Sequence, residues 1–234
     1  NDTASTLEVG RTDGTGTLAV GLLAGGPLGA SPDINAGTLR LLGKTVISTG
    51  SGIGSPGTPF NHNIEIRAAD DVTVRGIQLS DGKSLTLVAD NDGNHVGNLG
   101  ISNGNVIAGG SSLNTATMTL SGENVTVSGA NGLTIVQLTG SGAQTVTASN
   151  ALQLTAGTSG GNAVQLQTGT GLQTVTANSI LVQGGATGSN NSAFLQSGGA
   201  QTITAGAGGI AVAGGGGTNN NASIGSSGNQ NIAA

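Results

Sequence analysis

From Asn63 onward, apolar residues recur at every second position in short runs: Ile64/Ile66, Val72/Val74, Ile77/Leu79 and Leu85/Leu87, with polar residues between them. Strict alternation predicts short strands with one buried and one exposed face. In the last third of the chain the runs repeat. Gln144-Thr145-Val146-Thr147-Ala148 returns as Gln173-Thr174-Val175-Thr176-Ala177, as Gln201-Thr202-Ile203-Thr204-Ala205 and, altered, as Gln230-Asn231-Ile232-Ala233-Ala234. A near-constant period of this size, about 29 residues, marks a repeat architecture in which each unit buries its apolar face only against its neighbours.

Two further alternating segments follow each glutamine segment. They carry Leu152/Leu154 and Val164/Leu166, then Ile180/Val182 and Ala193/Leu195, then Ile210/Val212 and Ala222/Ile224. Residues 157–162, 184–191 and 214–221 separate the second segment from the third. They are rich in Gly and Asn, which tolerate positive φ, and read as variable loops. The pattern predicts an all-β fold, a parallel β-solenoid with three strands per coil, each bonded to its equivalents about 4.8 Å above and below. Gly, Ser, Thr, Asn and Val leave helices little to build on.

Earlier in the chain, Leu99/Ile101, Met118/Leu120 and Val136/Leu138 follow one another more closely. Their spacing predicts compact coils of roughly 18 to 21 residues up to about residue 138. Coils of roughly 28 to 30 residues follow, with Val164/Leu166 taken as the next equivalent of Val136/Leu138. Before Asn63 the runs at Thr6, Thr17, Thr38 and Thr45 read as strands, but Pro27, Pro32, Pro56 and Pro59 all fall here, and proline is excluded from interior ladder positions. Residues 1–62 therefore read as irregular N-terminal coils or a cap, and residues 63–234 as a continuous solenoid, one domain overall. The apolar run from Leu18 to Leu28 is interrupted by glycine and proline, so membrane insertion is not expected. A chain opening on Asn1 reads as a processed product or a fragment. Ala234 falls one strand into a new coil, which predicts continuation of the chain or head-to-tail docking of another copy.

Charge sharpens this picture. The six basic and eleven acidic residues all lie at or before Glu123, as do His62 and His95, and there is no cysteine. From Asn124 on, the chain holds no side chain that can act as general acid, carboxylate ligand or paired nucleophile, so no cofactor and no enzyme activity are expected. Polysaccharide-cleaving β-helices gather acids and bases on one strand face; here Glu65/Arg67 and Arg75/Asp81 are the nearest approach. Scattered cations and two phenylalanines argue against nucleic acid. A neutral surface stays hydrated yet lacks repulsion between copies.

Five groups merit attention as sites. Asp90, Asn91, Asp92 and Asn94 surround Gly93 as a calcium loop would, but lack the bidentate acid of an EF-hand; an Asx/Gly turn is the preferred reading, with no metal. Asp70-Asp71 reads as a corner, and His62 and His95 as solvated loop residues. The inward-phase Gln144, Gln173, Gln201 and Gln230 predict a stacked amide ladder. The outward Thr145/Thr147, Thr174/Thr176 and Thr202/Thr204 predict a two-wide threonine ladder, an arrangement also met on ice-binding faces, although Thr is simply a good strand residue.

Segments such as Gly82-Lys83-Ser84-Leu85-Thr86-Leu87-Val88-Ala89-Asp90-Asn91-Asp92-Gly93 and Gly104-Asn105-Val106-Ile107-Ala108-Gly109-Gly110, in a Cys-free, Gly/Thr/Asn-rich chain, resemble bacterial filamentous-haemagglutinin-like exoproteins over most of residues 35–234. The resemblance implies a right-handed parallel β-helix of autotransporter type, exported and displayed at the cell surface as an adhesin or fibre. The functional expectation is a non-enzymatic extracellular segment of a surface fibre, matrix filament or adhesin stalk that stacks end to end with itself. The alternative is a receptor- or glycan-binding passenger or phage-type spike, whose loops at residues 157–162 and 184–191 touch surface glycans. An ice-binding solenoid is the third.

Overall fold

The computed structural model describes residues 5–11, 13, 15–21, 36–49, 52–54, 59–108, 116–130 and 132–234. Pro27, Pro32 and Pro56, and residues 22–28 of the early apolar run, lie outside these. Among the described residues the chain is all β, with thirteen strands in one sheet and six in a second. Every strand pairing is parallel, and each coil stacks on the one before it to make a β-solenoid.

In the regular coils, long strands Gln144–Thr155, Gln173–Gln183 and Gln201–Ala213 lie in the first sheet. Short strands Val164–Thr168, Ala193–Ser197 and Ala222–Ser226 lie in the second. The alternation predicts three separate strands per coil, whereas here the first two segments run on as one. The register slips between Ala148 and Ala151, and again between Ala177 and Ser179, so a bulge turns the corner without ending the strand. No Gly or Pro interrupts residues 148–151, and the ladder resumes at Ala151 on the far side of the bend. The preceding coil is fused in the same way as Met118–Ser128, whereas farther upstream the two segments are distinct, as in Asn63–Ala68 and Val72–Val74.

Alternate side chains from both sheets meet inside. Leu41, Ile66, Leu87, Leu120, Val146, Val175, Ile203 and Ile232 form one column along the axis. All but Ile232 are buried. At about 1.5–3 kcal/mol for each large aliphatic side chain removed from water, this interior is the main source of stability.

The coil lengths in the middle differ from the short regular spacing. Ile64 stacks on Leu85, Leu85 on Met118 and Met118 on Gln144, so the three steps are unequal and the one from Leu85 to Met118 is the longest. Leu99 pairs with Val125, and Val136 with Val106 and Leu166. The close spacings from Leu99 to Met118 and from Met118 to Val136 therefore step from one side of a coil to another and do not join successive coils. The equivalent of Val164 is Thr134, not Val136, a slip of one alternation that keeps the same face inward. Pairing also crosses residue 62: Thr38 bonds in register with Asn63, and Val46 with Val72.

Corners stack as tightly as strands because of a glycine column. A Cβ on Gly157 would lie 2.2 Å from the Gly129 carbonyl oxygen, one on Gly185 2.0 Å from that of Gly157, and one on Gly215 1.7 Å from that of Gly185. Only a residue without a side chain lets these turns approach at the strand spacing.

Candidate functional site

The glutamine segments enter the interior because their alternation with Val and Ile leaves the Gln in the inward phase. Gln144, Gln173 and Gln201 are 0, 0 and 1 % exposed. The Nε2 of Gln173 donates to Oε1 of Gln144, that of Gln201 to Gln173, and that of Gln230 to Gln201, each at 2.6 Å. At the inner end Nε2 of Gln144 donates to the Gln167 carbonyl at 3.1 Å and meets Met118 Sδ at 3.2 Å. All four amides point the same way. The row has a direction, each rung donating to the coil before it.

Two asparagine rows accompany it that the sequence reading did not single out. At the corner of the first sheet, Asn150 Nδ2 donates to Asn124 Oδ1 at 3.0 Å, Asn124 to Asn98 at 2.7 Å, and Asn98 to Asp71 Oδ1 at 3.1 Å. Beneath the loops, the Asn162 amide N–H donates to Asn191 Oδ1 at 2.8 Å, and that of Asn191 to Asn220 Oδ1 at 3.0 Å. Asn191 and Asn220 are buried, with Nδ2 groups on the Thr187 and Gly185 carbonyls at 2.7 Å. The even sequence spacing of the asparagines within each row was the signal available for finding them. Loops 157–162 and 184–191 are thus held from within, coil against coil.

The threonine rows run along the outer face of the first sheet. Thr86, Thr119, Thr145, Thr174 and Thr202 form one row of five, ending on Asn231. Ser121, Thr147, Thr176 and Thr204 form the neighbouring row, ending on Ala233. Thr86 and Thr119 went unnoticed because the coil between them is longer than those that follow.

Ionic groups gather at the other end. Glu8, Arg40 and Glu65 are cross-strand neighbours. Arg40 Nε donates to Glu65 Oε2 at 2.7 Å and its Nη1 to Glu8 Oε2 at 3.3 Å, while Arg67 Nε donates to Glu65 Oε1. Burial pushes the Glu65 carboxyl up, but hydrogen bonds from Arg67 and Arg40 outweigh it and hold it below its ordinary value. Asp90, Asn91, Asp92 and Asn94 do not converge on a common point. Asp90 Oδ1 accepts from the His95 amide at 3.0 Å, Asp92 Oδ2 from Asn94 Nδ2 at 2.9 Å, and Asn91 Oδ1 from Arg67 Nη1 at 3.0 Å. These side chains are engaged within the turn and with Arg67, and among the described residues no three acidic or histidine side chains gather as a metal site would require. His62 is not a free loop residue: its ring lies 5.2 Å from that of Phe60, and Nδ1 donates to the Ala36 carbonyl at 2.7 Å.

Comparison with family models, curated proteins and solved structures found no match for this chain. Its chemistry is therefore read from the geometry alone. Amide, hydroxyl and backbone groups dominate, and Glu65, the most enclosed carboxylate of the ionic network, is already neutralised by two arginines. No helix among the described residues is long and apolar enough to cross a membrane.

Proposed function

We propose that this chain is a non-enzymatic structural β-solenoid, a segment of a bacterial surface fibre, matrix filament or adhesin stalk, which extends by stacking coil upon coil. The carrying observation is that coil stacks on coil in one unbroken register, with the inward column from Leu41 to Ile232 and the glutamine row from Gln144 to Gln230 repeating at each step. Thr6–Gly10 and Gln230–Ala233 are the outermost strands of the sheet order. Val9 and Ile232 occupy the same inward column and are 41 and 46 % exposed. A second copy docked head to tail in this register sets Val9 on Ile232 and continues the same parallel strand stacking, the kind of contact that generates an open filament. Side faces free of charge from Asn124 on remove the usual obstacle to such packing. The extracellular setting follows from the resemblance to filamentous-haemagglutinin-like exoproteins.

Negative-stain microscopy of the purified chain at neutral pH tests this reading. Fibres that disappear on Ile232→Lys support it. A monodisperse monomer for both proteins rejects it.

One observation favours a second reading. The five-threonine row with its neighbour makes a regular, uncharged array of hydroxyl and methyl groups, as an ice-binding face requires. Thermal hysteresis that is lost on Thr145→Tyr would support it, and freezing indistinguishable from that of an inert protein would end it.

A further inference from the structure

The outer face of the second sheet is patterned differently from that of the first. Its strands Asn105–Ala108, Thr134–Leu138, Val164–Thr168, Ala193–Ser197 and Ala222–Ser226 stack in this order, all parallel. Register fixes two outward rows along the axis. One runs Asn105, Ile135, Gln165, Phe194, Ser223, and the other Ile107, Gln137, Gln167, Gln196, Gly225. Where the outward rows of the first sheet carry threonine, this face sets Ile107, Ile135 and Phe194 among amides. All three stand outside the hydrophobic core cluster and are partly exposed. Gly225 ends its row without a side chain: a Cβ there would meet nothing within 4 Å, and a hollow of about 410 Å³ lies among Gly225, Gln196, Gln167 and Ser226. None of these five strands carries a charged residue.

The two rows are matched about their middle strand. Ile135 lies one coil to one side of Gln165 and Phe194 one coil to the other; Gln137 and Gln196 flank Gln167 in the same way, and Ile107 and Gly225 stand two coils out. A two-fold axis along the strand direction, at the level of Val164–Thr168, reverses the order of the coils and keeps each row opposite itself. It sets Ile135 against Phe194 of a second copy, Gln137 against Gln196, Gln165 and Gln167 against their own counterparts, and Ile107 over the Gly225 hollow.

We infer that this face is a side-to-side contact between two copies of the chain, packed face to face with their coils running in opposite directions. Apolar groups meet apolar groups, and a bulky side chain meets the hollow. A carboxamide both donates and accepts, so a glutamine row is its own complement. With no charge on the face, an isologous contact brings no like charges together. Five strands about 4.8 Å apart, each showing about five residues at roughly 3.3 Å, span roughly 400 Å² on each copy. The pair buries about 800 Å² in all, below the roughly 1,200 Å² at which stable specific interfaces begin. A single pair is therefore weak and reversible, and the contact strengthens when stacked copies engage together. It goes beyond end-to-end stacking and does not depend on it.

The test uses the full chain carrying Ile232→Lys, which sets the end-to-end contact aside and leaves this face intact. Sedimentation velocity over a concentration series is expected to show a reversible monomer–dimer equilibrium. Ile107→Lys and Gly225→Leu, both outward and checked for unchanged circular dichroism, should each raise the dissociation constant at least tenfold. Thr174→Lys, on the first sheet, should leave it unchanged. Because the chain has no cysteine, introduced thiols report the geometry. With a bifunctional thiol reagent that bridges the roughly 10 Å between packed sheets, Ile135→Cys chains should cross-link to Phe194→Cys chains and neither to itself. A chain that stays monomeric throughout, as it would if this face served a different partner, overturns the inference. A dimer indifferent to both face variants does so too, as does cross-linking of Ile135→Cys to itself, the mark of coils running the same way. Filaments of the parent chain, read by microscopy, bear on end-to-end stacking alone, so each claim can fail without the other.

Discussion

Gln173 donates its side-chain amide to Gln144 at 2.6 Å in an interior that admits no solvent to either group. Each rung of this row gives one hydrogen to the coil before it and accepts one from the coil after. Removing one rung leaves a buried acceptor and a buried donor unpaired on its two sides, which costs about 1–3 kcal/mol for each orphaned group. Gln173→Leu should therefore destabilise the chain by a few kcal/mol in urea unfolding. The triple change Gln144→Leu, Gln173→Leu, Gln201→Leu should cost much less than three times that figure, since most partners are then apolar too. Additive losses would contradict a cooperative row.

The glycine column predicts a sharp contrast between two alanine substitutions. Gly185→Ala drives a Cβ to 2.0 Å from the Gly157 carbonyl oxygen, so neighbouring corners must part. A loss of about 1–3 kcal/mol is expected. Gly225→Ala meets nothing within 4 Å and should change the melting temperature little.

Acid should loosen the N-terminal coils. The folded Glu65 carboxyl titrates below its ordinary 4.5, so its pairing with Arg40 and Arg67 stabilises the fold above that pH. The contribution is lost as pH falls through the lowered value. Urea midpoints should decline over this range. Glu65→Gln should lower the neutral-pH stability by about 1 kcal/mol and flatten part of the decline. An unchanged pH profile in the variant would remove Glu65 from the account.

The joint between copies makes its own prediction. In the head-to-tail register Gln230 faces Leu7, which cannot donate to the last carbonyl of the glutamine row. Leu7→Gln continues the row across the joint and adds one hydrogen bond worth about 1 kcal/mol. The concentration needed for assembly, followed by light scattering, should fall by roughly fivefold. A rise would mean that the edges meet in another register.

Legibility in the sequence followed how constant the coil length is. The nearly equal steps from Gln144 to Gln173, Gln201 and Gln230 keep Val, Ile and Gln in phase, and the inward columns were readable there. Upstream, loops of unequal length separate Leu85 from Met118, and Met118 fills the position that Gln144 takes one coil later. The row signature is lost there, and nearby apolar pairs on different sides imitate a shorter period. Fusion of two segments at Ala148–Ala151 was hidden because a bulge carries no composition signal.

Diffraction from aligned filaments of the purified chain bears most directly on the proposal that coils stack from one copy to the next. A sharp reflection at about 4.8 Å along the filament axis is expected, from strands perpendicular to that axis and continuous through the joints. The same reflection at right angles to the axis, or a solution that yields no filaments at all, would contradict it.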